Sequence, residues 1–309
     1  MPSIASPLGA LPARFRRPRI LVIGCGDVGS RAVRQMARCN RGPRIVALTS
    51  SPARVPPLRA LGALPLLGDL DRPATLRRLS GLATHVLHLA PPPGEGERDP
   101  RTRAVVAALR LRSAPSVLVY GSTSGVYGDC GGARVRETRP TAPTQPRAWR
   151  RADAEQHVRL AGRPGGIRTT VLRIPGIYAE DREGGTPRAR LLRGTPALRA
   201  EDDVFTSHIH ADDLARACVA ALWRGRPQRT VNVCDDTEMR MGDYFDLAAD
   251  RYGLPRPPRL GRAEAAAQLP PSLLGFMSES RRLDNTRLKR ELRFRLRYPT
   301  VADGLAHTG

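Results

Sequence analysis

The sequence predicts an α/β fold, a doubly wound parallel sheet with a smaller C-terminal lobe. Three observations carry that expectation. In the first half, short apolar runs alternate with helix-patterned segments at close spacing, as in a parallel sheet covered by helices. The first of those runs stops at a glycine-rich turn that opens a helix. Beyond residue 175 the alternation loosens into glycine, proline and charged residues, and the last third reads as short helices separated by prolines.

Taken in order, the first strand is the apolar run 19–23, ended by Gly24. A helix is expected over 27–39, a strand over 44–49, a helix over 52–61 and a strand over 64–67, followed by Gly68, Asp69 and Leu70. A helix at 73–79 leads to a fourth strand at 84–89. The proline-rich loop 91–100 enters a helix at 101–112, and 116–120 reads as the fifth strand. After the loop 121–146 come a helix at 147–161 and a closing strand at 169–174. Further on, a helix over 211–223 and a strand over 230–233 are expected to return to this sheet.

The composition, 40% hydrophobic and 26% charged over 309 residues, is that of a folded globular chain with a sizeable core. No run approaches the roughly 18 consecutive apolar residues that span a bilayer, so no membrane partner is expected. At the N-terminus the basic residues follow the weakly apolar part, the reverse of a secretory signal, which points to a cytoplasmic chain with an arm at 1–18. The cysteines (Cys25, Cys39, Cys130, Cys218 and Cys234) are odd in number and scattered, which fits reduced, mostly buried thiols. The net charge of +22 would suit a polyanion partner. Yet Lys289 is the one lysine and the arginines are spread along the chain, with local clusters at 14–19, 147–151 and 287–297. No helix-turn-helix or zinc-finger pattern accompanies them, so nucleic acid is not the expected partner.

Gly24-Cys25-Gly26-Asp27-Val28-Gly29 matches G-x-G-x-x-G, and it directly follows a strand and opens a helix. That context marks a dinucleotide-binding turn of the Rossmann type. Gly24 permits the tight turn, Gly26 lets the backbone approach a pyrophosphate, and Gly29 lets helix and strand pack closely. The second strand ends Leu48-Thr49-Ser50-Ser51 without the acid that would hold a ribose 2′-hydroxyl, and Arg54 lies close behind. Hydroxyls with an arginine suit a 2′-phosphate, so the expected coenzyme is NADP in preference to NAD.

Several stretches, in order, carry a wider resemblance. They are the glycine turn, Gly68-Asp69-Leu70, the run 117–128 containing Gly-Ser-Thr-Ser-Gly-Val-Tyr-Gly, Glu137 with Pro140, the run 172–178, and His208-Ile-His-Ala-Asp-Asp-Leu-Ala215. Together they resemble the extended short-chain dehydrogenase/reductases, the NAD-dependent epimerase/dehydratase group, and their atypical members in particular. The resemblance implies a nucleotide domain over 19–175 and a substrate lobe over 176–309, with 211–233 returning to the former. It implies coenzyme contacts from Gly24, Gly26, Asp27, Val28, Gly29, Ser50, Arg54, Asp69, Leu70, Ala90, Arg151 and Pro175. It also places Thr123 where the family's substrate-binding hydroxyl stands, and a small hydroxyl or carbonyl compound in the cleft.

The family's proton-transfer pair, Y-x-x-x-K, does not appear. With Glu155 taken as the acidic residue four after the lysine, Arg151 stands at the lysine and Arg147 at the tyrosine. No tyrosine lies between Tyr127 and Tyr178, so the conclusion is independent of register. Arginine cannot act as a general base, its pKa exceeding about 12. Two readings follow. Either Tyr127, Tyr178 or Asp153 moves the proton and the chain is an oxidoreductase or epimerase, or the chain is a coenzyme-binding sensor that does not turn over. His208, His210, Asp212 and Asp213 have a metal-like composition, but the two acids fall in the first turn of a helix, where its dipole favours them, and no metal is expected.

Overall fold

The apolar runs of the first half become neighbouring strands of one sheet in a computed structural model, which describes residues 17–38, 42–163 and 166–305. In chain order come β1 (Arg19–Ile23), α1 (Asp27–Ala37), β2 (Arg44–Thr49), α2 (Val55–Ala60), β3 (Leu64–Leu67), β4 (His85–His88) and α3 (Pro100–Leu109). Next are β5 (Val117–Thr123), β6 (Arg134–Val135), α4 (Pro146–Gly162), β7 (Arg168–Ile174) and β8 (Gly176–Tyr178). These are followed by α5 (Arg188–Leu192), β9 (Ala197–Leu198), β10 (Phe205–Thr206), β11 (His208–His210), α6 (Ala211–Arg224) and β12 (Arg229–Asn232). The remaining elements are β13 (Met239–Arg240), α7 (Met241–Tyr252), β14 (Arg259–Leu260), α8 (Arg262–Gln268), α9 (Pro271–Met277), β15 (Arg282–Leu283), α10 (Thr286–Glu291) and α11 (Val301–Leu305).

Seven strands lie side by side in the order β12-β7-β5-β4-β1-β2-β3, every pair parallel. This is the doubly wound, Rossmann-type sheet that the alternation predicts. Both of its faces are covered, which is why β1 reads as a continuous apolar run. Ile20 and Val22 face a layer that includes Ala32, Val33 and Met36 of α1 with Leu214, Cys218 and Leu222 of α6. Leu21 and Ile23 face the opposite layer, with Val105 and Leu109 of α3 and Ala154 and Val158 of α4. A smaller lobe has its own core, where Tyr244, Phe245 and Ala248 of α7 pack with Tyr178, Leu191 and Val301. No helix among the described residues is long and apolar enough to cross a membrane.

Local differences from the sequence expectation have local causes. Prolines interrupt the predicted helix 52–61, which is a 3₁₀ turn at Pro52–Arg54 followed by the short α2. The segment Pro73–Leu79 is 3₁₀ throughout. Strand β5 runs to Thr123, three residues past the expected end, because Gly121, Ser122 and Thr123 continue the ladder with Leu172, Arg173 and Ile174 of β7. Cys25, Cys130, Cys218 and Cys234 are free and buried, while Cys39 and most of the N-terminal arm, 1–16, lie outside the described residues.

Candidate functional site

The order of the sheet reverses at β1, whose neighbours β2 and β4 lead away in opposite directions. In such sheets a crevice opens beyond the carboxyl ends of the strands at the reversal. Here the crevice is closed by backbone. Gly24 has φ +88°, and a Cβ there would lie 2.2 Å from the amide nitrogen of Ala90, so only glycine fits. A Cβ on Gly29 would lie 2.6 Å from the Gly24 carbonyl oxygen, which brings α1 hard against the end of β1. Gly26, the residue before α1, faces open space and offers no side-chain cap, leaving the first amides of the helix toward the crevice.

A cavity of about 250 Å³ sits over this turn. It brings together Gly24, Ser50, Arg54, Asp69, Leu70 and Ala90 of the residues expected there. Arg54 reaches across it and donates from Nη2 to the Cys25 carbonyl at 2.7 Å. Sequence reasoning missed Arg101 and Asp71, which form a two-bonded ion pair at 2.5 and 2.7 Å on its rim. The arginine holds the Asp71 carboxyl below its ordinary value. Their separation of thirty residues left no local pattern to find.

Other expected contacts stand elsewhere. The Asp27 carboxylate is engaged in ion pairs with Arg31 at 2.8 Å and Arg182 at 2.6 Å, while its amide opens α1. Arg31 also binds Asp181 and Asp212, each at 2.6 Å, so α1 is fastened to the segment after β8 and to the start of α6. The partly buried side chain of Val28 packs against the core. Pro175 lines a different, larger cleft. Arg151 bridges the ends of β4 and β5. Its Nη1 donates to the carbonyl of Gly121 at 2.6 Å, to the Tyr120 hydroxyl at 3.1 Å and to the Ala90 carbonyl at 3.4 Å.

That larger cleft, of about 730 Å³, lies between the end of β5, the start of α4 and the smaller lobe. Thr123 and Arg147 line it. Thr123 is half-buried, and its hydroxyl accepts a hydrogen bond from the Gly125 amide at 3.3 Å. Tyr127 does not line it, which corrects its candidacy as the proton-transfer group. The residue is only 1% exposed and donates to Asn232 Oδ1 at 2.7 Å, with the Arg173 guanidinium 4.5 Å from its ring. Burial pushes its pKa further up. Tyr178 does border the cleft, yet its hydroxyl donates to the Thr300 carbonyl and burial raises its pKa strongly. Asp153 accepts from the Asp99 amide at 2.7 Å, away from the lining.

Under the cleft runs a buried polar layer. Glu155 receives Ser122 Oγ at 2.7 Å and both Nε and Nη2 of Arg173, at 3.0 and 2.8 Å. His208 forms part of the cleft wall, its ring tilted against Tyr244 with centroids 4.3 Å apart, and burial lowers its pKa to about 4, so it is neutral at pH 7. The Nδ1 atom of His208 has no hydrogen-bond partner. His210 instead caps α6, its Nδ1 accepting from the Asp212 amide. No group of three or more metal-type side chains is gathered among the described residues.

Comparison with known proteins gives a consistent set. Residues 20–234 match the NAD dependent epimerase/dehydratase family. A UDP-glucose 4-epimerase of Azospirillum brasilense is 30% identical over 133 residues, covering 36% of this chain and 38% of that protein. The chain spans less than half the length of the curated relatives it matches, 38% and 47%. A functionally unknown conserved protein from Silicibacter pomeroyi DSS has a solved structure with a TM-score of 0.74 and 31% identity, over 94% of this chain and 97% of that one. The UDP-glucuronic acid 4-epimerase from Bacillus cereus, solved in complex with NAD, is 19% identical with a TM-score of 0.71, over 93% and 96% of the two chains, and shares the fold.

Proposed function

The chain belongs to the NAD dependent epimerase/dehydratase family, and from that premise we propose that it is an NAD(P)-dependent oxidoreductase or epimerase acting on a hydroxyl or carbonyl of a sugar-nucleotide substrate without the Tyr-x-x-x-Lys pair. One observation carries the reading. The cavity at the sheet reversal is walled by glycine backbone, lies beside an uncapped helix N-terminus, and has Arg54 and Arg101 in its lining. Those residues fit a dinucleotide. The first amides of α1 face its pyrophosphate, Ser50 and Arg54 its adenosine ribose, and Asp69 and Leu70 the adenine side.

A 2′-phosphate on that ribose meets the Arg54 guanidinium, and no acid stands at the end of β2 to prefer a free hydroxyl, so NADP is the proposed coenzyme over NAD. Arg151, held by the carbonyls of Gly121 and Ala90, takes the place next to the nicotinamide ribose. The coenzyme supplies the hydride acceptor or donor. Thr123 orients the substrate oxygen, while Arg147 can neither take nor give a proton at neutral pH. The second reading, a coenzyme-binding sensor, is favoured by that same pair of arginines.

Turnover of NADPH and NADH against aldehydes, ketones and sugar nucleotides separates the two. The enzyme reading expects a substrate that turns over, and a Thr123→Ala variant slowed about 10- to 100-fold, the usual scale for one lost catalytic hydrogen bond. Coenzyme binding with no turnover across the panel decides for the sensor. A turning substrate with Thr123→Ala unchanged removes Thr123 from the mechanism.

A further inference from the structure

The cleft carries a charge imbalance that coenzyme binding and Thr123 leave unused. Four arginines line it, Arg147, Arg182, Arg190 and Arg281, against the carboxylates Glu183 and Glu279. Two of the four are neutralised, Arg182 by Asp27 at 2.6 Å and Arg281 by Glu279 at 2.7 Å. The other two form no ion pair among the described residues. The charged neighbours of both are cations, Arg151 and Arg150 beside Arg147 and Arg193 beside Arg190. Desolvation in the cleft, with these like-charged arginines added, draws both pKa values below the ordinary arginine value.

Each guanidinium also stands 6.0 Å from an aromatic ring, Arg147 from Phe276 and Arg190 from Phe245. A ring face attracts a cation weakly, and an oxyanion pairs with it far more strongly. Arg147 lies one helical turn before Arg151, whose guanidinium is fixed against Ala90 and Gly121 at the coenzyme end of the cleft. Arg190 comes from α5, in the smaller lobe. The two unpaired cations therefore approach the cleft from different lobes.

We propose that Arg147 is an oxyanion-binding, specificity-determining residue, and that the cleft takes a sugar nucleotide carrying a carboxylate on its sugar, with a second negative group held by Arg190. The inference rests on the proposed function in taking the cleft as the substrate site. A planar guanidinium presents paired N–H donors that match a carboxylate, whereas a neutral sugar hydroxyl leaves the charge uncompensated.

The test titrates the coenzyme-loaded protein with UDP-glucuronic acid and UDP-glucose, probes that differ at one carbon, in wild type, Arg147→Gln and Arg147→Lys. The expected result is UDP-glucuronic acid bound at least about tenfold more tightly than UDP-glucose, with that ratio collapsing toward one in Arg147→Gln and partly kept in Arg147→Lys. A wild-type ratio near one, or a ratio that survives Arg147→Gln, overturns the proposal. Melting curves verify that each variant is folded. If neither UDP-sugar binds, the sugar-nucleotide reading fails on its own, and the oxyanion site is then tested with glucuronate against glucose by saturation-transfer NMR. Glucuronate binding that Arg147→Gln abolishes keeps the site; its absence in wild type removes it.

Discussion

The small cavity over the glycine turn and the large cleft are lined by separate sets of residues, and they are made by different means. The cavity, about 250 Å³, is shaped by main chain, with Gly24 against Ala90 and Gly29 against the Gly24 carbonyl. The cleft, about 730 Å³, is shaped by side chains from β5, α4, α5, β11, α7 and α9. Backbone shape follows from a six-residue motif, so the first site is specified locally. The second depends on ion pairs and stacks between residues far apart in sequence, such as Arg31 with Asp181 and Asp212, or Arg173 with Glu155. Side chains of the cleft can therefore vary without disturbing the glycine turn.

The strongest way to break this contrast is at Glu155. Replacing it by alanine leaves Arg173, 2% exposed, as a buried charge without its partner and deprives Ser122 of its acceptor. A loss of about 3–5 kcal/mol in unfolding free energy is expected by chemical denaturation. Coenzyme affinity in the surviving folded fraction should change far less, because Glu155 does not line the coenzyme cavity. An equal collapse of both would mean that the two sites are one cooperative unit.

His208 tests the cleft wall through pH. Its pKa falls to about 4 on burial, and in the unfolded chain it returns to about 6.5. The unfolded state therefore takes up the proton first as pH falls. The stability tied to the neutral ring is fully present above about pH 6.5 and is lost progressively down to about pH 4, on the order of 3 kcal/mol. Tyr244 and Tyr178 are the aromatic groups that face the ring, and neither ionises in that range. A His208→Phe variant, which keeps an aromatic ring beside Tyr244, should lose less stability between pH 7 and pH 4.5. An unchanged acid loss would assign it to other groups, among them His88, whose pKa burial lowers to about 3.

The smallest effect expected is at Arg54. Arg54→Ala should weaken NADPH binding about tenfold, or ~1.4 kcal/mol, and leave NADH nearly unchanged, as read by fluorescence titration. Equal weakening of both coenzymes would move Arg54 from the 2′-phosphate to the Cys25 carbonyl, the bond it makes here.

The sheet was legible because strands buried on both faces read as uninterrupted apolar runs, and the glycine turn because Gly24 and Gly29 sit where only glycine fits. The end of β5 was not legible. Gly121 and Ser122 look like loop residues until β7 is seen to pair with them. Tyr127 followed the motif into the wrong environment, since nothing local reveals that Asn232, 105 residues away, receives its hydroxyl. The ion pair of Asp27 was hidden in the same way, its partner Arg182 lying 155 residues off. That Arg147 has no ion pair among the described residues could be seen only once the cleft was assembled.

The central claim is that the glycine turn binds a dinucleotide, and direct titration of NADPH and NADH into the purified chain tests it. Saturable binding in the micromolar range, tighter for NADPH, is the result expected. Absence of binding by either coenzyme at millimolar concentration would contradict the account.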